Sequence, residues 1–202
     1  MAESRGHANG AKARFRIVIG GLPGVGKTSV LSGFVKHLDE RGLNYRAVVF
    51  GTVMHELAKE RGEIDRDSMR KLSMEDQREL QVKAAERISA HDEDIVLVDT
   101  HYLVRTPDGF YAGLPSYVID RLHPSHLVFI YARPEDIIKR RLNDKARMRD
   151  DETEGMLEEE LFYTKSYLAV ASAQSGAEVI MIENEEGMLE KTIKALMERL
   201  HL

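Results

Sequence analysis

The sequence predicts an α/β domain in which helices cover both faces of a five-stranded parallel sheet. Strand-like apolar runs alternate with amphipathic helical patterns along the chain, and connections this long favour parallel strands joined by right-handed crossovers. A glycine-rich loop at residues 21–28 joins the first strand to the first helix. Residues 95–99 are apolar up to a final carboxylate, which is typical of a strand buried on both faces of a parallel sheet.

Length and composition favour one globular domain. Of the 202 residues, 43% are hydrophobic and 31% are charged, which is enough for a substantial core. The formal charge of −5 argues against a general nucleic-acid binder, because such proteins need a basic face. The absence of cysteine fits a reducing compartment. With no signal-peptide core and no run of 18 apolar residues, we expect a cytoplasmic protein without a membrane partner.

The segments follow one another in a regular order. Residues 1–13 lack apolar periodicity and are expected to form a flexible leader, which leaves residues 14–202 as a single domain. Apolar runs predict strands at residues 15–19, 45–50, 95–99, 126–131 and 178–182. Helical spacing predicts helices near residues 27–41, 53–61, 73–91, 114–122, 156–173 and 187–200, and a further helix that begins at residue 134. Two prolines and two glycines in residues 100–115 predict a loop there.

The most specific motif is the phosphate loop, residues 21–28, which fits G-x-x-x-x-G-K-[ST] at every fixed position. Backbone N–H groups of such a loop, and the start of the helix after it, bind phosphate oxygens. A plain glycine-rich turn is the alternative, but the strand before and the helix after favour a nucleoside triphosphate site. We expect Lys27 to reach the β- and γ-phosphates, and we expect the Thr28 hydroxyl to bind Mg²⁺. We assign ATP binding to Gly21, Leu22, Pro23, Gly24, Val25, Gly26, Lys27, Thr28 and Ser29.

Asp99 is the second predicted metal ligand, with Thr28 as the first. It ends the most apolar strand, at the edge of the sheet where ligands bind in parallel α/β folds, and a carboxylate there can hold Mg²⁺ directly or through water. A helix-capping role is the alternative, but the residues after it resemble a loop. Thr100 and His101 follow it in place of a water-activating glutamate. Phosphoryl transfer to a bound acceptor is therefore favoured over hydrolysis.

Basic residues concentrate at positions 133–149, where seven bases stand against three acids. Guanidinium groups suit a transition state whose charge spreads over several phosphate oxygens, although a solvated helix is an open alternative for any single arginine. Four arginines are expected to act in catalysis: Arg140, Arg141, Arg147 and Arg149. The acceptor phosphate needs a second basic site, for which Arg70 and Arg105 are candidates. Three roles stay open for His101: a hydrogen-bond donor to phosphate, a hydrogen-bonding residue within its loop, or a base.

These motifs together resemble the archaeal type of adenylate kinase, a branch of the nucleoside monophosphate kinases within the P-loop NTPases. The likeness spans nearly the whole chain after the leader. It rests on several blocks in the same order, at residues 21–28, 50–54, 65–72, 98–101, 113–115, 140–144 and 147–150.

The resemblance implies the reaction of ATP with AMP to give two ADP, with magnesium, in a three-layer fold. It also implies a small helical AMP-binding segment at residues 52–92, a short lid at residues 139–155, and a homotrimer. By position, Thr52 and Arg70 contact AMP, with Arg70 on its phosphate, and the four arginines supply the lid contacts. His101 and Arg105 complete the expected substrate site. Without cysteine, the lid cannot be of the zinc-binding kind.

Three other functions stay open from the sequence alone. The first is a P-loop kinase for another nucleoside monophosphate or a small metabolite, since the residues do not identify the acceptor base. The second is an ATPase switch in RNA or ribosome maturation, which the missing water-activating carboxylate disfavours. The third is a nucleotide-binding structural subunit, in which Lys27, Asp99 and the arginines would have no catalytic role.

Overall fold

The computed structural model describes residues 15–62, 72–106, 108–143 and 153–202. The strands within these ranges are β1 (Phe15–Gly20), β2 (Tyr45–Val49), β3 (Ile95–Asp99), β4 (Leu103–Thr106), β5 (Gly109–Ala112), β6 (His126–Tyr131) and β7 (Glu178–Glu183). Five of them form one sheet in the order β2–β3–β1–β6–β7, and every neighbouring pair in it is parallel. The predicted five-stranded parallel sheet is therefore confirmed.

Helices alternate with these strands and flank the sheet. They are α1 (Lys27–Glu40), α2 (Phe50–Glu60), α3 (Met74–Ser89), α4 (Ser116–Leu122), α5 (Pro134–Asn143), α6 (Glu154–Ser175) and α7 (Leu189–Arg199). Ser73 caps the start of α3, where its hydroxyl accepts a hydrogen bond from the backbone N–H of Asp76 at 3.1 Å. No helix in the described part of the chain has both the length and the apolar character needed to cross a membrane.

The core is centred on β1 and its two neighbours. Ile17, Val18 and Ile19 are fully buried, and β3 and β6 contribute further buried runs. Burial on both faces explains why these strands are continuous apolar runs without alternation. Ile19 lies beside Asp99 on one side and beside Val128 on the other. The ends of β1, β3 and β6 therefore share one edge, from which the phosphate loop leaves.

Two sequence predictions are wrong in detail. Much of the segment predicted as a loop is instead paired, because β4 and β5 form an antiparallel ladder. The strands have four residues each, which is too short for an alternating pattern to outweigh the turn-forming residues between them. In addition, the second strand ends at Val49, and Phe50 already begins α2. Gly51 and Thr52 are therefore helical.

Tyr102 connects this hairpin region to the centre of the sheet. Its side chain is buried, and its hydroxyl lies 2.9 Å from the carbonyl oxygens of both Val18 and Val128. The single hydroxyl proton is shared between these two acceptors. The ring packs so closely on Gly20 that a Cβ atom there would lie 2.4 Å from ring carbons. Any larger residue at position 20 would displace the tyrosine.

Alkaline pH should destabilise the fold through Tyr102 and Tyr167. Burial raises the pKa of Tyr102 well above its usual value of about 10, and raises the pKa of Tyr167 to about 12. Both phenols hold their protons more tightly in the folded state than in the unfolded state. Their stabilising contribution is therefore complete below about pH 10 and is lost as the pH rises through the folded-state values.

Urea denaturation at several pH values up to about 12 measures this effect. We expect the free energy of unfolding to fall with pH in the wild type, and the slope to be smaller in Tyr167→Phe. The range below about pH 9 is the internal control, because both phenols keep their protons there and the two proteins should show the same dependence on pH. An unchanged slope in Tyr167→Phe would show that this phenol does not cause the loss.

Candidate nucleotide site

The phosphate loop forms where β1 leaves the core and α1 begins. Val25 is the fully buried side chain that anchors the loop, and Lys27 is the first residue of the helix. Gly24 and Gly26 have φ angles of 90° and 83°, in the left-handed region that a side chain disfavours. The two glycines therefore allow the chain to turn so that backbone N–H groups and the positive end of the α1 dipole face the same space.

Lys27 and Asp99 form an ion pair across the mouth of this loop. Asp99 reaches this position because β3 lies beside β1, with Asp99 in register with Ile19. The Lys27 ammonium also lies 3.4 Å from the carbonyl oxygen of Thr100. The two side chains retain 15% and 24% of their exposure, so the pair is accessible from solvent. Two residues that sequence reasoning assigns to one site are thus brought into contact.

The donor atoms at this mouth fit a magnesium ion. Mg²⁺ prefers oxygen ligands and is commonly held by one or two protein groups together with substrate phosphates and water. Asp99 supplies a carboxylate and Thr28, an exposed residue in the first turn of α1, supplies a hydroxyl. Within the described ranges, no cluster of three or more His, Cys, Asp or Glu side chains forms a ready-made metal site. A metal here would depend on the nucleotide and on water for most of its ligands.

Arg140 and Arg141, predicted as catalytic residues, lie against the phosphate loop. Arg140 donates hydrogen bonds to the carbonyl oxygens of Val25 at 3.0 Å and Asn184 at 2.9 Å, and to Glu186 at 3.0 Å. Arg141 donates from two of its nitrogens to the carbonyl oxygen of Pro23. Both guanidinium groups therefore bind the loop backbone from α5. To contact phosphate as expected, each guanidinium group would have to exchange one of these hydrogen bonds for a bond to phosphate, or make an additional one.

The predicted acceptor residues occupy different surroundings. Thr52 lies in the first turn of α2 and His101 follows β3, so both sit near the carboxyl edge of two paired strands. Arg105 lies on β4, where it donates to the carbonyl oxygen of Met156 at 2.9 Å and pairs with glutamates of α6. Its guanidinium also stacks over the ring of Phe110. Arg70, Arg147 and Arg149 lie outside the described residues.

Three other polar residues around the loop are absent from the sequence-based prediction. Asn184 donates to the carbonyl oxygen of Val25 at 2.8 Å, and Glu186 pairs with Arg140. Glu160 is 8% exposed and lines a small cleft with Gly21 and His101. Asn184 directly follows β7, so the rule that ligand sites gather at strand ends could have pointed to it.

The loop, its lysine and the facing carboxylate define the P-loop class of phosphate-binding proteins. A family model described as AAA domain matches residues 20–158. The adenylate kinase of Methanocaldococcus jannaschii is 37% identical over 184 residues, covering 90% of this chain and 96% of that protein. The adenylate kinase of Methanoculleus marisnigri is 39% identical over 184 residues, which again cover 90% of this chain and 96% of that protein. The chain belongs to the archaeal adenylate kinase family.

A solved structure supports the fold independently. The crystal structure of shikimate kinase from Bacteroides thetaiotaomicron superposes with a TM-score of 0.58 at 15% identity, covering 93% of this chain and 99% of that one. At this identity the likeness concerns the fold alone. It agrees with the parallel sheet and flanking helices described above.

Proposed function

We propose that the protein transfers the terminal phosphoryl group of ATP to AMP in a reversible, magnesium-dependent reaction that gives two ADP. The observation that carries the proposal is the 36–39% identity to curated adenylate kinases over 90% of the chain. The site supports it, because the phosphate loop, Lys27 and Asp99 are assembled at one edge of the sheet. The enzyme is a phosphotransferase.

The donor nucleotide would occupy the phosphate loop. The backbone N–H groups and the α1 dipole bind its phosphate oxygens, and the Lys27 ammonium turns from Asp99 toward the β- and γ-phosphates. Thr28 and Asp99 would hold magnesium, which neutralises charge on the phosphate oxygens when bound. Ser29 follows in the same first turn of α1. Transfer then depends on alignment and charge neutralisation, because an AMP phosphate oxygen is already ionised and needs no strong base.

The acceptor would bind over the neighbouring strand ends. In this proposal residues 52–92 form the AMP-binding segment, with Thr52 near the nucleotide and Arg70 on its phosphate. His101 and Arg105 are proposed to complete the acceptor site, and residues 139–155 are proposed to form the lid that carries the arginines. The lack of a glutamate after Asp99 supports transfer over hydrolysis, since Thr100 and His101 stand there.

We also propose that the protein acts in the cytoplasm as a homo-oligomer, as a trimer by resemblance. Support for association comes from an exposed apolar surface on the β4–β5 hairpin and α6. Tyr111 and Val104 are 59% and 47% exposed on the hairpin, and Phe162 and Tyr163 are 66% and 45% exposed on the helix. The Tyr163 ring contacts Phe110 of the hairpin at 5.0 Å between centroids, so the two parts are continuous.

Arg70→Ala should raise the KM for AMP by about tenfold or more while changing the KM for ATP little, because a charge-assisted bond to the acceptor phosphate is removed. A coupled assay with AMP, CMP, UMP and GMP as acceptors measures both constants and the choice of base. Arg46→Ala is the matched control, since Arg46 lies on β2 outside this segment, where its half-exposed side chain pairs with Glu93 at 2.8 Å. Unchanged AMP saturation in Arg70→Ala would place the acceptor site elsewhere, and preference for another acceptor would replace AMP in the proposal.

A further inference from the structure

We propose that Asn184 and Thr192 are positioning residues that orient the Val25–Gly26 peptide of the phosphate loop for the donor nucleotide. The inference rests on the proposed use of this loop for ATP and identifies what prepares it. Asn184 follows β7 and is 6% exposed, and Thr192 lies in the first turn of α7 and is 2% exposed. Polar side chains buried this deeply need hydrogen-bond partners, and theirs lead to the loop.

The Val25 carbonyl oxygen is bound from two elements at once. The side-chain amide of Asn184 donates to it at 2.8 Å, and Arg140 of α5 donates to it at 3.0 Å. Asn184 is fixed through its own backbone as well, because its N–H donates to the carbonyl oxygen of Tyr131 at 2.8 Å. The oxygen thus has a donor for each of its lone pairs, and one of the donors is a rigidly held neutral amide.

Binding this oxygen also directs the N–H group of Gly26. A trans peptide is planar, and its C=O and N–H bonds point in opposite directions. Since Asn184 and Arg140 bind the carbonyl on one side, the Gly26 N–H is directed to the other side, where it can donate to a phosphate oxygen. A donor that is already oriented needs no reorganisation when the nucleotide binds.

Packing around Gly26 agrees with this arrangement. Gly26 has a φ of 83°, and a Cβ atom there would lie 2.5 Å from the Asn184 amide nitrogen. The glycine therefore allows the amide to approach the loop backbone directly. Asn184 would be displaced by any side chain at position 26, so the two residues depend on each other.

Thr192 holds the end of the Asn184 amide that faces away from the loop. The Val25 carbonyl can only accept, so the amide nitrogen must face it and the amide oxygen must point the other way. That oxygen lies 3.2 Å from the Thr192 hydroxyl, which can donate to it. The same hydroxyl also lies 3.1 Å from the carbonyl oxygen of Met188. Without the hydroxyl, the amide oxygen loses this hydrogen bond, and the side chain is held less firmly against the loop.

The test compares Thr192→Val with Thr192→Ser by calorimetric titration of each folded variant with ATP and, separately, with AMP. Valine keeps the volume and removes the hydroxyl, so we expect ATP to bind about tenfold more weakly, equivalent to about 1.4 kcal/mol. Serine keeps the hydroxyl and should stay within about twofold of the wild type. Asn184→Ala should weaken ATP at least as much as Thr192→Val. AMP affinity should stay unchanged in all three, because AMP binds elsewhere.

Ser166→Ala is the control, since it removes only a hydroxyl bonded within a helix, to the carbonyl oxygen of Phe162 at 2.9 Å. It should bind ATP as the wild type does. Equal ATP affinity in Thr192→Val and wild type would overturn the inference, as would an equal loss of ATP and AMP affinity. A wild type that binds ATP but does not phosphorylate AMP would refute the proposed function alone. Should Asn184→Ala fail to fold, the valine and serine pair still decides.

Discussion

Lys27→Ala is expected to lower turnover by about 10²- to 10³-fold, because it removes a cation directed at the phosphates that react. The midpoint of thermal unfolding should change little. The substitution chiefly removes the ion pair of Lys27 with Asp99, and both side chains keep access to water, which weakens the contribution of that pair to stability. Steady-state kinetics and a thermal melt of the same preparation separate the two effects.

Lys36→Ala is the matched control for this experiment. Lys36 lies on the same helix, α1, and forms an exposed ion pair with Glu40 at 3.7 Å. Its substitution removes the same charge from the chain without touching the loop, so turnover should stay near the wild-type value. If Lys27→Ala kept wild-type turnover, or lost it only in proportion to the loss of folded protein, Lys27 would have no part in the chemistry.

Asp99→Asn should lower turnover about a hundredfold at ordinary magnesium concentration and raise the magnesium concentration needed for half-maximal rate. Asparagine has the same shape but lacks the negative charge that holds both the metal and the Lys27 ammonium. The measurement is the initial rate as a function of magnesium at fixed ATP and AMP.

Asp94→Asn provides the corresponding control. Asp94 immediately precedes β3 and is exposed, so it lies at the opposite end of the strand that Asp99 ends. The same change of charge there should leave both the rate and the magnesium dependence unaltered. An Asp99→Asn enzyme with the wild-type magnesium curve would show that the metal is held without this carboxylate.

The sheet could be predicted because strands buried on both faces must be apolar along their whole length. Those runs give strand positions directly, and the phosphate-loop motif gives the connection after β1. Periodicity does not reveal the order of the strands. That β3 lies beside β1, and so brings Asp99 to Lys27, follows from long-range pairing between segments about 80 residues apart.

The parts of the site that escape prediction depend on contacts between distant segments. Asn184 is a single polar residue after a strand, and its bond to Val25 spans 159 positions. Charge density predicts a role for Arg140, but the oxygens that hold it belong to Val25 and Asn184, which no local pattern connects to α5. The hairpin escapes prediction because its strands are short and its turn residues resemble those of an irregular loop.

In this proposal, the phosphate loop acts with Lys27 and Asp99 to transfer a phosphoryl group between two nucleotides. The most direct measurement incubates the purified protein with ADP and magnesium alone and follows ATP and AMP by chromatography. We predict that ATP and AMP appear in equal amounts, and that Lys27→Ala slows their formation by about 10²- to 10³-fold. Release of inorganic phosphate from ATP without any formation of ATP and AMP from ADP would contradict the proposal.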